Sequence, residues 1–246
     1  MAKPINRIVF ATQKGGVGKS TSATLLASYL YFVKDQQVVV IDADYPQHSI
    51  YRLRALETQR LQDDESLVRA FLATGKDQVY PVANAKMVHV FDRPAPDQAS
   101  VYEKAALPKI GADTIIIDTP GSVAVDGLGS ILQNVDTVVI PLEPEEMSLL
   151  SSTQFLAALA QLVKAADRDV KIVAFWNKIR HRSHADLIEV QNPVLQAMGV
   201  HVLDNYLPES VKMKRSETRS TVIPVDFRAL DLSNFMEELS SATSLN

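Results

Sequence analysis

The chain contains no cysteine among its 246 residues, so it can form neither a disulfide nor a thiolate-bound metal or iron–sulfur centre. It has no apolar run long enough to cross a bilayer, and its first residues lack the apolar stretch of a signal peptide. The net charge of −4 excludes a uniformly basic surface, so binding of nucleic acid would need a local patch. We therefore expect a cytoplasmic protein.

Apolar residues make up 46% of the chain, which is enough for a sizeable core, and the length suits one large α/β domain. Apolar, β-branched runs alternate with longer helical stretches, a pattern typical of a mostly parallel sheet with helices on both faces. We predict a single domain over residues 1–246 with a doubly wound α/β fold. Strands are predicted at residues 7–12, 37–41, 114–117, 137–141 and 170–176. Helices are predicted at residues 20–33, 147–166 and 185–198, the last followed by Gly199 as a helix-ending residue.

The patterns are weaker between residues 56 and 110. One helix is predicted there at residues 65–74 and one short strand at residues 87–91, with a turn at residues 93–96. The carboxyl-terminal region has the spacing of a helix that packs on the core through Leu230, Phe235, Met236 and Leu239. This region is acidic, so anionic lipid would repel it and no membrane anchor is expected.

The most informative stretch is the glycine-rich segment KGGVGKST at residues 14–21, which lies between an apolar run and a helical run. Glycine lets backbone N–H groups turn towards phosphate oxygens, and the dipole of the following helix favours the same anion. Lys19 is placed to reach the β- and γ-phosphates, and the Ser20 hydroxyl to bind Mg²⁺. The nucleotide-binding residues predicted from this segment are Gly15, Gly16, Val17, Gly18, Lys19, Ser20 and Thr21. A glycine-rich turn without a ligand is the alternative.

Two acidic motifs follow apolar strands. Asp42 and Asp44 close the run VVVIDAD, and Asp118 closes the run IIID. Ligands of open α/β sheets bind at the carboxyl ends of the strands, so these acids are candidates for the same site. If the strand continues, Asp42 and Asp44 point to the same side. The alternative for this pair is a role as helix or turn caps.

In their order along the chain, these motifs resemble those of the ParA/MinD family of ATPases, which have a P-loop fold and a deviant Walker A motif. The resemblance continues in VIPLEPE at residues 139–145, FWNK at residues 175–178 and YLPES at residues 206–210. Tyr45 and His48 depart from the family pattern D-x-D-P-Q-G. This variant resembles ParA-type proteins of conjugative elements in Bacteroidetes.

The resemblance implies a slow, Mg²⁺-dependent ATPase that closes into a homodimer around ATP. It assigns catalytic roles to Lys14, which would reach the partner subunit's nucleotide, to Lys19, and to Asp44, which would orient the attacking water. A solvated loop lysine is the alternative for Lys14.

The resemblance also assigns ligand-binding residues. It gives Ser20, Asp42 and Asp118 to the Mg²⁺ site, with Asp118 acting through a water molecule. Asn177 would read the adenine base, and Pro208 would pack against it. A helix or turn cap is the alternative for Asn177.

Basic residues cluster in two places, and the resemblance implies that such clusters from two subunits bind DNA without sequence preference. The candidate DNA-binding residues are Lys178, Arg180, Arg182, Lys212, Lys214, Arg215 and Arg219. A solvated face is the alternative. The implied role is plasmid or chromosome partition or mobile-element maintenance on the nucleoid, with a ParB-like or transfer protein stimulating hydrolysis. The other functional hypothesis is a nucleotide-gated adaptor for a conjugation complex or another protein-positioning complex.

Overall fold

The computed structural model describes residues 4–86, 111–121, 132–165, 169–180, 184–210 and 219–245. The strands are β1 Asn6–Phe10, β2 Val38–Asp42, β3 Val82–Asn84, β4 Thr114–Asp118, β5 Thr137–Leu142, β6 Lys171–Trp176 and β7 His201–Val202. The helices are α1 Lys19–Ser28, α2 Ser49–Asp63, α3 Glu65–Leu72, α4 Glu146–Ala165, α5 Ala185–Ala197 and α6 Ser233–Ala242. A π-helical turn, Tyr29–Val33, extends α1.

The seven strands form one sheet with the order β3-β2-β4-β1-β5-β6-β7, and each adjacent pair is parallel. The predicted doubly wound α/β architecture is therefore confirmed. Neighbouring residues on a strand point to opposite faces, so a strand that helices cover on both faces is apolar throughout. Strand β1 shows this, because Ile8 and Val9 belong to the cores on opposite faces of the sheet.

Helices pack on both faces of the sheet and contribute residues to each core. On one face, Leu25 and Leu26 of α1 pack with Phe235 of α6. On the other face, Phe155 of α4 packs in the same cluster as Leu195 of α5. Within the described part of the chain, no helix combines the length and apolar character needed to cross a bilayer.

The predicted carboxyl-terminal helix is confirmed as α6. Phe235, Met236 and Leu239 are buried in the core, and Leu230 packs against it. The Asn6 side chain donates a hydrogen bond to the carbonyl of Thr243 at 2.8 Å. This bond ties the end of the chain to the start of the central strand.

Sequence patterns predict neither α2 nor the short strands β3 and β7. The buried face of α2 consists of Ile50, Arg54 and Glu57, so it lacks the apolar stripe that identifies a helix in a sequence. The predicted strand 7–12 is too long, because β1 ends at Phe10 and Thr12 already belongs to the following loop. The predicted strand at residues 87–91 and the turn at residues 93–96 lie outside the described residues.

The register of the sheet brings acidic residues to one edge. Asp42 at the end of β2 lies opposite Asp118 at the end of β4, and Asp118 lies opposite Phe10 at the end of β1. The loop that follows β1 therefore starts beside both carboxylates, which is the edge where ligands of such sheets bind.

Candidate functional site

The loop between β1 and α1 has the geometry of an anion cradle. Gly16 and Gly18 adopt left-handed backbone angles, with φ of 78° and 97°. Gly18 is also the residue from which α1 begins, and no side chain caps this helix start. The first N–H groups of α1 therefore remain available to an anion, and the helix dipole favours one there.

Lys19 lies in the site itself. It is only 6% exposed, and burial lowers the pKa of its ammonium group, while the charges of Asp118 and Asp44 raise it. A buried cation between two carboxylates and a helix start is well placed to hold phosphate oxygens.

Asp118 is fully buried, and its pKa is raised to about 7. Burial is the main cause, the Ser20 hydroxyl and Lys19 oppose it, and the charges of Asp42 and Asp44 add to it. Both carboxylate oxygens lack a hydrogen-bond partner of good geometry among the described residues. Unpaired carboxylate oxygens beside a hydroxyl form the kind of oxygen donor set that Mg²⁺ takes. The residues thus fit the predicted metal site at Ser20 and Asp118.

Asp42 has a different environment. Its Oδ2 accepts hydrogen bonds from the backbone N–H groups of Ile50 at 2.8 Å and Tyr51 at 3.0 Å. Its Oδ1 accepts one from the N–H of Asp44 at 3.2 Å. The carboxylate at the end of β2 therefore caps α2, as the alternative for this residue proposes. Its contact with the Mg²⁺ shell stays a prediction.

Asp44 does not continue the strand, because β2 ends at Asp42. Its pKa is raised, chiefly by partial burial, while Lys19 lowers it, Asp42 raises it and His48 lowers it. Asp44 is thus a half-buried carboxyl that interacts with Lys19, the lysine of the phosphate loop. The role of Asp44 in orienting the attacking water stays a prediction.

His48 occupies the position where the family pattern has glycine, and its backbone conformation is one that favours glycine. Its φ of 44° is left-handed, a conformation that glycine adopts without strain. Its ring Nδ1 lies 3.1 Å from the carbonyl oxygen of Asp42, and its backbone N–H donates to the carbonyl of Asp44 at 2.8 Å. The imidazole thus stays close to the two acids that precede it.

Lys14 contacts two acidic side chains other than those beside Lys19. Its Nζ lies 3.7 Å from Oε2 of Glu143 and 3.6 Å from Oε2 of Glu145, and its side chain is 42% exposed. The two lysines of the loop therefore differ: Lys19 is buried near Asp118 and Asp44, whereas the partly exposed Lys14 contacts the buried Glu143 and the exposed Glu145.

Asn177 and Pro208, the two predicted adenine-binding residues, lie on one cavity with the phosphate loop. This cavity of about 380 Å³ is also lined by Gly18, Thr21 and Arg219. The amide of Asn177 is already engaged, because its Nδ2 donates to the carbonyl of Val17 at 2.8 Å and its Oδ1 accepts from the N–H of Lys178 at 2.8 Å. Its contact with a base stays a prediction.

The predicted DNA-binding residues that the structure describes are Lys178, Arg180 and Arg219. Lys178 forms an ion pair with Glu143 and donates to the carbonyl of Gly16 at 2.8 Å, and Arg180 forms an ion pair with Glu209. The sequence shows no acid within the first basic cluster, but the fold brings these two acids to it.

The remaining members, Arg182, Lys212, Lys214 and Arg215, lie outside the described residues. DNA contact stays a prediction for the whole set.

Glu143 is the residue at this site to which sequence reasoning gave no role. It is 5% exposed, and it contacts both Lys14 and Lys178. Two signals in the sequence could have drawn attention to it: its position directly after strand β5 and its place within the family-like segment VIPLEPE.

Comparison with known proteins adds independent information. The family model described as ATPase MipZ matches residues 6–195. The chain is 27% identical over 234 residues to the chromosome-partitioning ATPase Soj of Treponema pallidum, covering 89% of this chain and 88% of Soj.

Two solved structures share the fold. One is a Borrelia burgdorferi protein assigned to plasmid partition and bound to AMPPNP, with a TM-score of 0.62, 20% identity and coverage of 97% of this chain and 98% of that one. The other is pNOB8 ParA bound to nonspecific DNA, with a TM-score of 0.63, 21% identity and coverage of 98% and 97%.

Proposed function

The chain belongs to the ATPase MipZ family and is a ParA-type ATPase with a deviant Walker A motif, and on this premise we propose that it is an ATP-driven dimer switch. ATP closes two copies into a sandwich, and slow hydrolysis opens them again. ATP and Mg²⁺ are its cofactors, and residues 1–246 form a single P-loop domain.

The contrast between the two loop lysines carries this proposal. Lys19 is buried beside Asp118 and Asp44, whereas the ammonium of Lys14 lies at the surface against Glu143 and Glu145. One loop lysine suffices for the phosphates of its own subunit. An outward lysine on the same loop is positioned to serve the nucleotide of a facing copy, which would replace the two glutamates as its anionic partner.

Each residue then has a task in hydrolysis. The loop N–H groups and Lys19 hold the phosphates, and Ser20 and Asp118 would hold Mg²⁺, which would supply positive charge to the triphosphate. Asp44 orients the attacking water. The partner's Lys14 adds positive charge beside the nucleotide, where the ADP leaving group becomes more negative as its bond to the γ-phosphorus breaks.

The ATP-bound dimer binds DNA without sequence preference and acts in plasmid or chromosome partition or in mobile-element maintenance. The similarity to Soj and to a ParA that binds nonspecific DNA supports this role. In this proposal the dimer resides on the nucleoid, and a ParB-like or transfer protein stimulates hydrolysis.

A gel-shift series with ATP, ADP and no nucleotide, repeated across salt concentrations, tests this function. We expect a shift with ATP alone, and an affinity that falls steeply as salt rises because phosphate contacts release counterions. Equal shifts in all three nucleotide states would contradict the switch.

A second candidate function is a nucleotide-gated adaptor whose cargo is a protein complex. The ion pairs of Lys178 with Glu143 and of Arg180 with Glu209 favour it, because they neutralise cations that DNA would need. An ATP-dependent dimer that gives no shift at any salt concentration, together with direct binding of a purified transfer protein, would select the adaptor.

A further inference from the structure

Arg219 is positioned at the nucleotide cavity. It borders the cavity of about 380 Å³ that contains Asn177 and Pro208. It also borders a second cavity of about 510 Å³ that contains Ser20 and Arg52. The two cavities share Thr21 and Arg219, so the guanidinium lies where the phosphate loop meets the base cavity.

The side chain of Arg219 is half-buried, and one of its N–H groups lacks a hydrogen-bond partner among the described residues. Its Nε is buried and has no hydrogen-bond partner among the described residues. A buried N–H group of a charged guanidinium is unfavourable without a hydrogen-bond acceptor. An anion bound next to Arg219 would therefore stabilise its side chain.

The backbone that presents Arg219 is anchored by a buried polar network. Glu57 accepts a hydrogen bond from the N–H of Thr221 at 2.8 Å, and Arg54 donates to the carbonyl of Thr221 at 2.7 Å and to its hydroxyl at 2.8 Å. All three residues are buried. These hydrogen bonds hold the segment that follows Arg219 against α2. Binding of a ligand would therefore cost little conformational entropy in this segment.

The geometry defines which part of a nucleotide would meet this arginine. The glycines and Lys19 hold the β- and γ-phosphates, and the base extends into the cavity with Asn177 and Pro208. The link between them, the α-phosphate and ribose, passes Thr21. We propose that Arg219 binds the α-phosphate end of the nucleotide in its own subunit rather than DNA, an inference that rests on the proposed ATP site.

This placement predicts how the affinities for ATP and ADP change when Arg219 is replaced. ATP and ADP share the α-phosphate, so loss of Arg219 should weaken both by the same factor. The loss of a charge-assisted hydrogen bond predicts about a tenfold rise in both Kd values for Arg219→Ala. Arg219→Lys should lie between this variant and the wild type, because lysine keeps the charge and loses the planar fork.

Titration of fluorescent ATP and ADP against monomeric protein without DNA tests the proposal. Arg52→Ala is the matched control, because it removes the same charge from an exposed position on the second cavity. We expect equal loss of ATP and ADP affinity in Arg219→Ala and no change in Arg52→Ala. Unchanged affinities in Arg219→Ala, equal losses in both variants, or a loss confined to ATP would each overturn it.

Two further readouts separate this inference from the proposed function. If the wild type binds neither nucleotide, the proposed function fails. If the wild type binds both and Arg219→Ala binds them equally well, only the role of Arg219 fails. At saturating ATP, which compensates for the weaker nucleotide binding, Arg219→Ala should shift DNA in a gel as the wild type does. If Arg219→Ala binds nucleotide normally but shifts no DNA, Arg219 is a DNA-binding residue instead. If Arg219→Ala does not fold, Arg219→Lys carries the test, with its smaller loss for both nucleotides as the expected result.

Discussion

The side-chain amide of Asn177 donates a hydrogen bond to the carbonyl of Val17 at 2.8 Å. These residues are 160 positions apart in the sequence, and the bond joins the end of β6 to the phosphate loop. Because the amide lies directly over the loop, a Cβ added to Gly18 would come within 2.2 Å of Asn177 Nδ2. The shape of the phosphate loop therefore depends on a residue from a distant strand.

Replacement of Gly18 by alanine should disable the loop. Alanine in a left-handed conformation is unfavourable by about 1 kcal/mol or more, and the contact with Asn177 adds to this. We expect Gly18→Ala to lose nucleotide binding and to lower the thermal midpoint by several degrees. Gly15→Ala is the control for stability, because a Cβ there meets no atom within 4 Å. Wild-type nucleotide affinity in Gly18→Ala, measured by isothermal titration calorimetry, would refute this view of the loop.

The raised pKa of Asp118 makes stability depend on pH. The native carboxyl, with a pKa of about 7, holds its proton between about pH 4 and pH 7, whereas the unfolded carboxyl is ionised there. The free energy of unfolding contributed by this group therefore falls as pH rises through that interval and is constant above it.

Asp118→Asn removes the titration. Without nucleotide, the variant should resemble the wild type near pH 4, and it should melt at increasingly higher temperature than the wild type up to about pH 7. The additional stabilisation that Mg²⁺ gives in the presence of ADP should be seen in the wild type and largely lost in the variant, because the metal needs the ionised carboxylate. Thermal melts at several pH values check this, and parallel curves for the two proteins would contradict the assigned burial cost.

Asp44→Ala should separate binding from hydrolysis. The acid is expected to act on water rather than on the phosphates, so ATP should still bind while hydrolysis falls by at least about a hundredfold. The ATP-bound dimer would then accumulate. Asp63→Ala, at the exposed end of α2, controls for the loss of one negative charge. A phosphate-release assay that gives the wild-type rate for Asp44→Ala would remove Asp44 from the mechanism.

The sequence predicts five of the seven described strands, and it indicates the glycine-rich loop, because these signals are local. Apolar runs such as residues 38–41 identify strands buried on both faces, and the spacing of Gly15, Gly18 and Lys19 identifies the loop. The family resemblance that these motifs carry is confirmed by the match to ATPase MipZ.

The sequence does not predict helix α2, because its buried side chains Arg54 and Glu57 are charged and their partners, Thr221 for both and Tyr80 for Arg54, lie far away in the sequence. The pairing of Lys178 with Glu143 is hidden for the same reason, since the two residues come from different strand ends. Contacts between segments that are distant in the sequence decide which charges are neutralised. The charges counted within one short segment therefore do not show which of them have a partner in the fold.

The most direct test of the switch is the mass of the protein in solution by light scattering, with a non-hydrolysable ATP analogue over a range of protein concentrations. We expect a dimer for the wild type and for Lys164→Ala, which removes an exposed lysine from α4. Lys14→Ala should stay a monomer while its affinity for nucleotide is unchanged. A wild type that remains monomeric at every concentration, or a Lys14→Ala variant that dimerises normally, would contradict the account.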